Sequence, residues 1–96
     1  MKPADALAAK RPELRRLVAR HGVLHPRVFG SVLRQTDTEA SDLDLLVDPT
    51  ESTTLFTLAA LQIEAEALLG VPVSVLTPEA LPRQFRAEAL AEARPL

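Results

Sequence analysis

The chain contains no cysteine, no tryptophan and no tyrosine. Without thiols it has neither a disulfide framework nor a thiolate zinc site. Three phenylalanines, Phe29, Phe56 and Phe85, are its only bulky aromatic side chains, so a composition that is 47% hydrophobic implies an aliphatic core. No basic block occurs either. The formal net charge is -2 and the arginines are dispersed, which argues against direct nucleic-acid binding by phosphate neutralisation. No stretch approaches the ~20 apolar residues of a membrane span, and Met1 to Asp5 shows no apolar signal-peptide core. A cytoplasmic protein without a membrane role is therefore expected. Ninety-six residues are expected to form a single domain, 1–96, because a second would bury too little surface to stand alone.

Glycine and proline punctuate what is there. Pro3 to Ala9 reads as the start of a helix. Pro12 reads as the first residue of a second one, with Arg11 forced out of helical geometry. Leu14, Leu17 and Val18 share a face, and Gly22 stops the helix near His21. Val23 to Phe29 reads as a strand with Pro26 inside it, and Leu43 to Val47 as a second. Glu51 to Leu69 is the longest helix candidate, and its apolar stripe is expected to face the core. Gly70 ends it, and Val71 to Leu76 is a third strand. Thr77-Pro78-Glu79 opens a short helical piece that Pro82 breaks. Arg83 to Ala93 is a final helix, whose partner surface the sequence leaves open, and Arg94-Pro95-Leu96 a tail. The order predicts an α/β (α+β) fold with a small mixed sheet of about three strands flanked by helices.

The most informative run is Phe29-Gly30-Ser31, ten residues, then Asp42-Leu43-Asp44. Side chains two apart on a strand share a face. Asp42 and Asp44 therefore look into one cleft while Leu43, Leu45 and Val47 face the core. Two ionised carboxylates at that spacing repel each other, and a divalent cation removes the repulsion. Gly30 lets backbone approach a ligand closely, and Ser31 offers a hydroxyl beside free N–H groups, a phosphate-binding arrangement. On a bare strand, an Asp-x-Asp pair is more often a solvated surface; preceded by strand and Gly-Ser, it reads as a metal–nucleotide site. His21 and His25, too few for a metal site, read as surface or helix-end residues.

The Gly-Ser, ten-residue, Asp-x-Asp run resembles the minimal nucleotidyltransferase (MNT) family of the DNA polymerase beta-like nucleotidyltransferase superfamily. Val71 to Leu81 is similar to the family's last strand and following helix. The resemblance implies Asp42 and Asp44 as catalytic residues that hold Mg²⁺, and Gly30, Ser31 and Arg34 as the nucleotide-binding residues. It implies ATP, or another nucleoside triphosphate, as the donor of AMP to a hydroxyl of a partner. That partner is expected to be a HEPN-domain toxin, with this chain as its antitoxin; a homo-oligomer stays open. Two departures stand out. Gln35 replaces the glycine usual after Arg34. Ser74, in Val73-Ser74-Val75, stands where the superfamily usually has a third carboxylate. Whether the chain is an active enzyme thus stays open, the alternative being a weakened or inactive domain that binds nucleotide and partner. Asp37, Glu39, Asp48 and Glu79 are the acids considered as substitutes for the missing one.

Overall fold

Gly22 and Gly70 end the two longest helices in a computed structural model that describes residues 1–96. Helix α1 spans Pro3–Arg20, β1 Leu24–Phe29, α2 Ser31–Arg34 and β2 Leu43–Asp48. Helix α3 spans Leu55–Leu69, β3 Val73–Leu76, a single 3₁₀ turn Pro78–Ala80, α4 Arg83–Glu92 and β4 Arg94–Pro95. The sheet order is β3-β2-β1-β4. Strands β1 and β2 are antiparallel, β2 and β3 parallel, and β1 and β4 antiparallel. The parallel pair is joined through α3, the crossover such a pair requires.

The sheet is thus mixed and flanked by helices, with four strands in place of about three. The extra one is the tail: Arg94 and Pro95 pair with Val28 and Arg27, and the Leu96 N–H donates to the Pro26 carbonyl. A proline is tolerated there because β4 is an edge strand. Strand β1 carries a bulge between Leu24 and Arg27. His25 sits in it at φ 52°, and Pro26, which has no N–H to give to a ladder, falls in the irregular stretch. In α1 the non-helical residue is Lys10, not Arg11. The bend one residue earlier relieves the clash of the Pro12 ring with the preceding turn. Helix α3 starts at Leu55, later than Glu51, because Thr54 caps it. The Thr54 hydroxyl accepts from the Thr57 N–H and the Thr57 hydroxyl accepts from the Thr54 N–H.

One face of the sheet carries the main core. Leu43, Leu45 and Val47 are fully buried there against α1 and α3. The other face is covered only in part: Leu46, Leu81 and Ala89 form a small separate cluster under α4, with Phe29 and Leu76 against it. The final helix therefore packs on this chain's own sheet. Arg86 anchors its first turns by donating to the carbonyls of Glu79 and Leu81. The uncovered part of that face belongs to Asp44.

Gln35 ends α2 in the left-handed region, at φ 60° and ψ 32°. That conformation costs an L-residue ~1 kcal/mol and glycine almost nothing. Gln35→Gly is expected to stabilise the fold by about 0.5–1 kcal/mol, measured as a rise in the urea midpoint at unchanged slope. A fall in the midpoint would mean that the glutamine side chain makes a contact worth more than the strain.

Candidate functional site

Strand β1 delivers the chain to Gly30, which lies at φ 75° and ψ -149°, a conformation reserved for glycine. A side chain is excluded there for a second reason: a Cβ on Gly30 would run into the Asp44 carboxylate. The turn and the carboxylate are therefore in direct apposition. From Gly30 the chain enters α2, so Ser31 opens a helical turn as its position predicts. Arg34 is at the end of that turn.

Asp44 lies inside β2 and is half-buried; Asp42 lies just before the strand and is exposed. In register, Asp44 has Phe29 as its partner on β1 and Ser74 as its partner on β3. The serine thus lies beside Asp44 in the sheet. Burial, and then the charge of Asp42, push the Asp44 carboxyl above its ordinary range, while the Arg34 guanidinium pulls it the other way. That pull is divided, because Arg34 Nη1 donates to Glu92 Oε1 at 3.1 Å.

These residues wall a cleft of about 420 Å³, within the usual range for small-ligand sites. Gly30, Arg34, Asp44 and Phe29 form one side. Phe85, Glu88, Ala89 and Glu92 of α4 form the other. Asp42 and Ser31 are not on its walls; Asp42 acts on it through the charge it places next to Asp44. Sequence reading missed the α4 wall. Phe85, Glu88 and Glu92 lie more than forty residues from Asp44 in the chain. Only the i, i+4 spacing of the two glutamates put them on one helix face, and nothing local said which surface that face meets.

The two aspartates are hard oxygen donors whose charge the chain does not neutralise. They suit a magnesium ion that fills the rest of its shell with water and phosphate oxygens. No group of three or more His, Asp or Glu side chains is gathered closely enough to cage a metal alone. The acids considered as substitutes for Ser74 are occupied or remote. Asp48, on the same strand face as Asp44, pairs with His25 Nδ1 at 2.7 Å and accepts from Arg27 Nη2 at 2.6 Å. Burial pushes Asp48 up, but those hydrogen bonds and charges outweigh it and hold its carboxyl below the usual range. Asp37 is buried and accepts from the Ala4 N–H at the start of α1, at 3.0 Å. Glu39 lies 3.8 Å from the Met1 ammonium, and Glu79 is exposed in the 3₁₀ turn.

The opposite shifts of Asp44 and Asp48 have opposite consequences for stability. A carboxyl raised by folding binds its proton more tightly in the folded chain. It removes stability as pH rises from the ordinary aspartate value to the raised one, and the penalty persists above that. A lowered carboxyl does the reverse, adding stability that is lost as pH falls through its folded value. With a chelator present, Asp44→Asn should therefore melt higher than the natural chain at pH 7, and the gap should close as pH drops toward 4. A lower midpoint for Asp44→Asn at pH 7 would contradict the assignment.

Comparison with known proteins shows the family. The family model described as nucleotidyltransferase domain matches residues 11–96. A Thermococcus cleftensis relative named protein adenylyltransferase MntA is 40% identical over 75 residues, covering 78% of this chain and 73% of that protein. A Methanocaldococcus jannaschii relative, MJ0435, named as a candidate protein adenylyltransferase, is 41% identical over 61 residues; the match covers 64% of this chain and 66% of the relative's length. A solved structure described as a candidate minimal nucleotidyltransferase superposes with a TM-score of 0.85 at 44% identity, covering 97% of this chain and 95% of that one. A toxin–antitoxin crystal structure with AMP-PNP shares the fold, with a TM-score of 0.75 at 14% identity over 88% of this chain and 69% of that one. With an acidic pair set against a glycine turn at the end of a mixed sheet, this chain belongs to the nucleotidyltransferase domain family, in its minimal form.

Proposed function

We propose that the chain is a protein adenylyltransferase that transfers AMP from magnesium-bound ATP to a hydroxyl of a partner protein, as the antitoxin of a pair whose toxin is a HEPN-domain protein. The observation that carries this reading is the apposition of Asp44 and Gly30: a half-buried carboxylate, with the charge of Asp42 acting on it, faces a turn that no side chain could fill. The names of the two relatives and the AMP-PNP complex of the structural neighbour support the donor and the acceptor class.

In this reading Asp42 and Asp44 hold Mg²⁺ and are the catalytic pair. Magnesium, when bound, neutralises phosphate charge that the cleft would otherwise repel. The Ser31 hydroxyl and the Gly30-Ser31 backbone take the β- and γ-phosphates. Arg34 exchanges Glu92 for a phosphate oxygen, a swap of one anion for another with a higher charge. The acceptor oxygen attacks the α-phosphorus, the bond from that phosphorus to the bridging oxygen of the β-phosphate breaks, pyrophosphate leaves, and the hydroxyl proton passes to solvent.

Ser74 supports a second reading. It sits in register with Asp44, and its neutral hydroxyl adds no charge for a second cation and no base for the acceptor. On this reading the chain binds nucleotide and neutralises its partner by contact, with little or no turnover. Incubation with labelled ATP, Mg²⁺ and the protein encoded beside this one separates the two. Transfer predicts a labelled partner and loss of label in Asp42→Ala/Asp44→Ala. The binding reading predicts no label from the natural chain, undiminished neutralisation by the double variant, and a gain of about tenfold or more in labelling by Ser74→Asp. Equal labelling by the natural chain and Ser74→Asp would remove any role for the missing carboxylate.

A further inference from the structure

Helix α3 is apolar on both sides. Leu61, Ala65 and Leu69 are buried in the main core, as expected of a core helix. The side turned away from them is apolar too, which the sequence reading had assigned to the core as a whole. Phe56 is 85% exposed and Ile63 66% exposed; Ala59 and Ala67 are exposed and Ala60 partly so. Leu55, 83% exposed, lies at the edge of this stripe. An outward apolar helix face of this kind marks an interaction surface.

The pattern within the stripe specifies the occupant. Phe56, Ala60, Ile63 and Ala67 follow each other at spacings of four, three and four, the seam of a helix that packs on another helix. Large and small residues alternate along it. When a second, antiparallel copy of α3 is laid on the first, Phe56 comes opposite the partner copy's Ala67, and Ala60 opposite its Ile63. Each large side chain then faces a small one, and the two-fold axis repeats both matches. The same face laid on itself in parallel would put phenylalanine on phenylalanine and alanine on alanine.

The surroundings favour the same arrangement. The larger groove of the molecule, about 670 Å³, runs beside this stripe between α1 and α3. Its apolar lining includes Leu17, Ala67 and Leu68, and its charged rim carries Arg20, Glu64 and Arg16, the last paired with Glu13. A phenylalanine placed opposite Ala67 stands at the mouth of this groove. The only ionised residues of α3 are Glu64 and Glu66. Glu64 is already paired with His21 at the end of α1, and the arginine rim adds cations on the side where a second copy brings its own Glu64. The antiparallel two-fold leaves the two copies of Glu66 roughly 13 Å apart along the helix axis. The two copies of Glu64 come roughly 7.5 Å apart along the axis on one flank, each already paired with its own His21 and beside Arg20 of the groove rim.

We propose that α3 is a self-association surface: two copies of this chain pair through antiparallel α3 helices, with Phe56 of each copy seated against Ala67 and the groove of the other. Because α3 covers the main-core face of the sheet and α4 the face of Asp44, the two acidic clefts stay open and point away from the contact. A single-helix seam falls at the small end of protein interfaces, so the association is of micromolar strength.

The test is sedimentation of the purified full chain from about 1 to 500 µM, a range that brackets such an affinity. A concentration-dependent dimer is expected, weakened at least tenfold by Phe56→Glu and, separately, by Ala67→Phe, which sets two rings against each other. The decisive variant is Phe56→Ala/Ala67→Phe: it exchanges large for small on both copies and should restore the dimer that either change alone loses. These positions are exposed in the single chain, so circular dichroism and the melting midpoint at low concentration should stay those of the natural protein. Magnesium-dependent AMP-PNP binding should also stay unchanged in Phe56→Glu. A monomer across the whole range overturns the proposal, including the case in which the stripe is covered only by a different protein. So does a dimer indifferent to these substitutions, or one that the exchanged pair fails to restore.

Discussion

Two carboxylates, one of them half-buried, act on each other with a single guanidinium, Arg34, to offset them, and that guanidinium is shared with Glu92. Most of what is distinctive in the structure is arranged around that cost. Leu43, Leu45 and Val47 fix β2 from the core side, and strand alternation then leaves Asp44 no choice of face. Gly30 has to lack a side chain because the Asp44 carboxylate occupies the space. Arg34, the one cation that acts on Asp44, is shared with Glu92. A fold selected for stability alone would place an apolar residue at such a position. On the proposed function, that strain is what would equip the cleft for a doubly charged cation and its phosphates.

The two faces of the sheet divide the work. The main core under α1 and α3 sets the strands rigidly, while α4 rides on a small cluster built from Leu46, Leu81 and Ala89. The helix that forms the second wall of the cleft is therefore the lightly packed one, tied at its start by Arg86 and at its end by the Arg34–Glu92 pair. An incoming phosphate that takes Arg34 from Glu92 would release one of those ties. On the proposed function, nucleotide binding and the position of α4 would be coupled in this way through a single guanidinium.

How much of this was legible depended on whether the information was local. Asp44 and the turn at Gly30 could be read because strand parity and a glycine's freedom are properties of neighbouring residues; Asp42 falls just before β2 and off the cleft walls, so parity did not extend to it. Strand β4 could not: Arg94-Pro95 has no strand pattern, and it pairs because the chain returns beside β1. The bulge at His25 was hidden in the same way, with only Pro26 as its signal. Helix α3 misled for another reason. It is apolar all round, so periodicity could not separate the face that meets the core, at Leu61 and Ala65, from the face that meets solvent, at Phe56 and Ile63. Glu88 and Glu92 showed as a helix face without a destination until α4 was seen to close the cleft.

The central claim is that the Asp42–Asp44 pair carries an uncompensated charge that a magnesium-bound nucleotide relieves. Its most direct test is the Asp44 side-chain carboxyl titration by carbon NMR, in the free chain and with Mg²⁺ and AMP-PNP. The account predicts a titration above the ordinary aspartate range in the free chain, falling well below it when magnesium and nucleotide are both present. An Asp44 that titrates in the ordinary range in the free chain, and does not move when they are added, would contradict it.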